Sequence, residues 1–191
     1  MYYVMQPDAQ CDSEFIWFKE GPDDDGEQWC TGQPFAKAPD IVRMSSDNEK
    51  RLPFSDFALN DFELHVHSPK FRKVLHGLGV TNIEYLPALL VDKAKGVRRD
   101  DYGVANFLGK IECLDFEHAN VTAGRRIPIA SVQEFALLEE RIAPLPGMTI
   151  PPLIFRLAEY DALVIAHESV KAACEENAIT AISFTPTVDY Y

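Results

Sequence analysis

The segment Leu64–Pro87, LHVHSPKFRKVLHGLGVTNIEYLP, has a second version ninety-nine residues further on: Leu163–Pro186, LVIAHESVKAACEENAITAISFTP. The two align without a gap. Leu64, Thr81, Ile83 and Pro87 meet identical residues at Leu163, Thr180, Ile182 and Pro186. Val66 meets Ile165, Phe71 meets Val170, Arg72 meets Lys171, Val80 meets Ile179 and Tyr85 meets Phe184. These matches fall where a strand–helix–strand unit needs them. Ser68-Pro69 is a helix start, a hydroxyl N-cap followed by proline at the first helical position. Phe71, Val74, Leu75 and Leu78 recur at helical spacing, and Gly77 and Gly79 end the helix because glycine accepts the left-handed cap. In the second copy the same reading predicts a helix over Glu168–Glu176 and a returning strand through Ile182 and Phe184.

Outward from these units, Tyr2–Gln6 reads as a strand closed by Pro7-Asp8. Glu14–Lys19 alternates polar and apolar residues like a second strand. Gln33–Pro53 reads as loop around an apolar island at Ile41–Met44, and Phe62–Val66 as the strand entering the first unit. Lys93–Arg99 makes a basic hairpin tip. Tyr102–Phe116 carries strand formers for one long strand or two short ones. Gly124–Pro128 marks a turn. Ser131–Arg141 is predicted to be a short helix, with Ser131 and Glu134 as a capping box and Val132, Phe135, Leu138 and Ile142 on one face. Leu153–Leu157 is another strand. Strands and helices mix without strict alternation, so the fold class is α+β, with mixed and antiparallel sheets built around the two units at 64–87 and 163–186. The 191 residues fit one domain, 1–191, with halves 1–95 and 96–191 packed together.

A hydrophobic share of 47% with 11% aromatic residues supports a substantial core. Eighteen basic against thirty acidic side chains leave a net charge of −12. That excludes nonspecific nucleic-acid and anionic-membrane binding, which need basic groups, and suits a basic partner protein. Cys11, Cys30, Cys113 and Cys174 lie far apart without a CxxC pair, as expected of reduced thiols in a cytoplasmic protein. The start lacks a signal-peptide pattern, and no segment has the apolar length of a membrane span.

Few residues suggest chemistry. His65 and His67 share one face of a strand, because side chains alternate with period two. A metal-dependent hydrolase built on them needs further ligands that the spacing of Cys113, Asp115, Glu117 and His118 does not select. Two exposed strand histidines are the simpler expectation. Asp8–Glu27 holds eight acids against Lys19 alone. Within it, Asp23-Asp24-Asp25-Gly26 fails as a calcium loop, since Gly21 and Gly32 fall on ligand positions. No nucleophile elbow, phosphate loop or dinucleotide fingerprint occurs. No cofactor is expected. Asp23, Asp24, Asp25 and Glu27 therefore stand as candidates for contacting a basic protein surface. Trp17 and Trp29 flank them; Trp29 is the candidate aromatic anchor, unless it belongs to the core.

Four stretches together carry a family resemblance: Tyr2-Tyr3-Val4-Met5; Ser68-Pro69 through Val74-Leu75 and Val80 to Tyr85-Leu86-Pro87; Ile111-Glu112-Cys113-Leu114-Asp115 closing the strand region from Tyr102; and Ile179-Thr180-x-Ile182-x-Phe184-x-Pro186. In these the chain resembles the immunity-protein-eleven family of bacterial polymorphic toxin systems. The resemblance implies a small cytoplasmic protein, without catalytic residues, that binds and neutralises a cognate toxin.

Overall fold

The computed structural model describes residues 1–22, 27–35, 37, 39–47, 52–123 and 129–190. The turn expected at Gly124–Pro128 lies outside these residues. The helices predicted in the two repeat units form, at the interval of the sequence match. Helix α1 spans Pro69–Gly77, and the Ser68 hydroxyl accepts from the Phe71 N–H at 3.1 Å. Gly79 follows with φ of 80°, where a side chain would be strained. Helix α2 spans Glu168–Glu176 and is capped by His167, whose Nδ1 accepts from the Ser169 N–H at 3.2 Å.

Two sheets carry these helices. Their strands are β1 (Tyr2–Pro7), β2 (Val42–Ser46), β3 (Val66–His67), β4 (Ile83–Asp92), β5 (Val97–Phe107), β6 (Lys110–Ile111), β7 (Ile154–Leu157), β8 (Val164–His167) and β9 (Ile182–Pro186). The first sheet runs β2-β4-β5-β3 and the second β9-β1-β8-β7-β6. In each unit the two parallel strands leave a gap one strand wide, and an antiparallel strand fills it. In the first sheet Val104 of β5 lies opposite both Val66 and Leu86. In the second, Val4 of β1 lies opposite both Ile165 and Thr185. Because Ile165 and Thr185 are the repeat partners of Val66 and Leu86, the registers are the same. Tyr2 and Tyr102, and Gln6 and Asn106, also fall into equivalent places.

The filling strands are exchanged. β1 belongs to the N-terminal half but is inserted between β8 and β9 of the C-terminal half. β5 belongs to the C-terminal half and is inserted between β3 and β4. Side chains from both sheets merge with the helices into one core, which contains repeat-equivalent positions: Phe71 and Val170, Leu75 and Cys174, Met5 and Ala105. Separate clusters cover the outer faces, one containing Val66, Leu86 and Val104, the other Val4, Leu163 and Ile165.

Asp56 ties the two units together. Its Oδ1 accepts from the Ser68 hydroxyl at 2.6 Å and its Oδ2 from the Thr180 N–H at 3.2 Å and Lys70 Nζ at 3.3 Å. Its own N–H donates to Thr180 Oγ1 at 2.8 Å. Thr180 is one of the four identities of the repeat, and here it receives the other unit. Asp56→Ala removes the carboxylate and orphans its donors. It is expected to lower stability by about 2–4 kcal/mol, read as a shift in urea midpoint at unchanged slope. A change below about 0.5 kcal/mol would remove this tie from the fold.

Three local expectations are corrected. Ser131–Arg141 is not a helix: Ile129–Gln133 pairs with Asn120–Ala123, Ala136–Leu137 pairs with Leu114–Asp115, and only Glu139–Arg141 makes a single 3-10 turn. The backbone N–H groups of Glu134 and Phe135 donate to the carbonyls of Tyr190 at 2.6 Å and Thr187 at 2.9 Å, so the C-terminal segment supplies the acceptors a helix would have used. The strand at Glu14–Lys19 shrinks to Trp17–Phe18, paired with Leu59–Asn60. The strand at Phe62–Val66 begins only at Val66. Before it the Asn60 side chain binds the Leu64 carbonyl and the N–H groups of Phe62 and Leu64, holding a turn with Glu63 at φ of 55°.

Candidate interaction surface

The described residues on either side of the acidic candidates are packed in place. At the first end, Gly21 lies so close to the Phe62 ring that a Cβ would come within 2.4 Å of it. At the other, the 3-10 turn Glu27–Cys30 sets Trp29 into the core, 2% exposed, edge-on to Phe35 with ring centroids 4.9 Å apart. Asp23, Asp24 and Asp25 themselves lie outside the described residues. Trp29 is thus the core tryptophan of the flanking pair. Trp17 is half-buried and donates from Nε1 to Asp61 at 2.5 Å. It is the flanking aromatic with surface left to offer. Glu20, just before the loop, is paired with Lys93 and accepts from the Ser45 hydroxyl at 2.8 Å; these contacts hold its carboxyl below the usual range.

His65 and His67 do share a face, but they are buried and not exposed, at 7% and 0%. They face the core between the two sheets, where Phe57, Phe71 and Phe107 surround the His67 ring and Tyr85 Oη lies 2.9 Å from its Nδ1. Burial, then the Arg72 charge, pushes the His67 pKa down to about 3. Burial, then Arg156 and His67, holds His65 well below its ordinary value. Both are neutral packing groups at pH 7. Among the described residues no group of three or more His, Cys, Asp or Glu is placed to hold a metal ion. Cys113 and Cys174 are buried, and burial pushes both thiols up to about 12, so they are protonated and unreactive as nucleophiles.

A different feature went unread in the sequence. A cavity of about 400 Å³ opens where β9 ends, between Tyr2, Leu137, Pro186 and Val188, with Glu139 and Asp189 on its lining. These residues come from three stretches of chain far apart in sequence. The one available signal, apolar Val188 between polar neighbours, is too common to select it. Val188 is 62% exposed.

Residues 5–189 match the model of the Immunity protein family (Imm11). The chain belongs to that family. The match spans both repeat units and the exchanged strand β5, and it begins within β1. Membership in the Imm11 family implies a toxin-neutralising immunity role. No curated protein matches the chain. Among the described residues no helix is long and apolar enough to cross a membrane.

Proposed function

We propose that this chain neutralises a cognate bacterial toxin of a polymorphic toxin system by binding it in the cytoplasm, acidic surface to basic surface. The family match over nearly the whole chain carries the reading. The net charge of −12 supports a basic partner, because opposite potentials steer encounter and reject wrong partners. Asp23, Asp24, Asp25 and Glu27 provide the charge for that contact and Trp17 the aromatic surface.

The direct test is co-purification with the product of the neighbouring gene, together with protection of cells that express it. Absence of both a complex and protection would end this reading. Within a complex, replacing Asp23, Asp24 and Asp25 by asparagine is expected to slow association about tenfold at low salt and to leave dissociation nearly unchanged. The difference should fade as salt is raised. An unchanged association rate at low salt removes the loop from the contact.

A further inference from the structure

The second sheet ends on an open edge. β9 pairs with β1 on one side, and among the described residues no strand pairs with its other side. The Asp8 N–H donates to the Ala181 carbonyl at 3.1 Å, which sets the phase of the ladder. Ile182 and Phe184 therefore turn their N–H and C=O groups away from β1 and outward. In the first unit the equivalent strand β4 runs on past Pro87 and takes a further strand only there, β2 in parallel register from Ala88 to Asp92. β9 stops at Pro186, the repeat partner of Pro87. There the chain turns into the 3-10 turn Thr187–Asp189, and the cavity opens beside the last residue of the strand.

We infer that an extended segment of the toxin adds to β9 as a further strand, placing an apolar side chain in the cavity and basic side chains against Glu139 and Asp189. The inference rests on the toxin-binding reading above and names where and how binding occurs. Outward N–H and C=O groups supply the backbone pairing of strand addition, and a neighbouring socket supplies side-chain choice. The walls of Tyr2, Leu137, Pro186 and Val188 suit an aliphatic or aromatic anchor. The charged side chains on that lining, Glu139 and Asp189, are both carboxylates, and the Met1 ammonium beside them lies 3.8 Å from Glu168, so cationic flanking positions suit the incoming strand. Lys171, over the Tyr3 ring at 5.6 Å, is held by Glu175 at 2.6 Å and leaves that charge in place. A second copy of this chain would bring its own net charge of −12 to the same edge, which disfavours self-pairing.

Amide hydrogen exchange on the free protein and on its complex with the neighbouring gene product reads the pairing directly. The Ile182 and Phe184 amides should exchange freely in the free protein and slow by about a hundredfold or more in the complex. The double variant Glu139→Lys, Asp189→Lys, altered at two exposed positions, should fold normally and weaken the complex at least about tenfold at low salt. A complex that forms with both amides still exchanging freely overturns this surface and leaves the toxin-binding reading intact. Failure to form any complex overturns both. Protection of the two amides in the protein alone, rising with its concentration, would give the edge to a second copy and equally overturn the proposal.

Discussion

Fragments 1–95 and 96–191, produced separately, are expected to remain unfolded, and to fold when mixed. The turn at Lys93–Gly96 joins β4 to β5 and is exposed, so a break there removes no buried contact. What the separated fragments lack is the middle of a sheet. Without β5, strands β3 and β4 lose their common neighbour, and Val66, Leu86 and Val104 lose the face that buries them. Without β1, strands β8 and β9 separate in the same way, and the sites of Val4 and Met5, each 1% exposed, become voids. Removing a strand of several buried side chains costs far more than the roughly 5–15 kcal/mol that holds a domain folded. Near-ultraviolet circular dichroism and amide proton dispersion of each fragment and of the equimolar mixture decide the matter. Native-like dispersion from either fragment alone would show that the halves are independent and that the exchange of β1 and β5 is incidental.

The second large effect is on acid stability. His65 and His67 are neutral in the folded protein down to low pH, whereas an unfolded histidine takes a proton near pH 6.5. As pH falls below 6.5 the unfolded chain binds more protons than the folded one, so stability falls with falling pH. It is fully present above pH 6.5 and is lost progressively toward the folded pKa, about 3 for His67. His67 contributes about 1.4 kcal/mol per pH unit, hence roughly 2.5 kcal/mol between pH 6.5 and 4.5, and His65 adds to it in the same direction. That is a large part of a typical domain's stability. Urea midpoints across this range should decline steeply, and His67→Gln should make the decline shallower by the share of that ring, roughly 2.5 kcal/mol. A flat midpoint from pH 6.5 to 4.5 would mean that the two rings are solvated or charged in the folded state.

Parts of this were legible in the residues and parts were not. Ser68-Pro69 and Gly79 fixed the ends of α1, because caps and left-handed positions act within a few residues. Ser131–Arg141 misled for the converse reason. Its apolar spacing satisfies a helix as well as two short strands, and the choice fell to the distant carbonyls of Thr187 and Tyr190. The face shared by His65 and His67 followed from period two. Their burial did not, because it depends on Phe57, Phe71 and Phe107 arriving from three other segments. The acidic run was visible as composition, but the burial of Trp29 beside it needed the packed core.

Alone, the chain's residues determined the two strand–helix–strand units, their common register and the charge offered to a partner, since periodicity, capping and net charge are local or additive quantities. Only the tertiary structure decided which strand fills each gap and which edge stays open. Tyr2–Pro7 and Tyr102–Phe107 carry nearly the same alternating pattern, and either would be a sound strand in either sheet. Pairing joins residues far apart along the chain, so the partner of a strand is set by where the rest of the molecule leaves room for it.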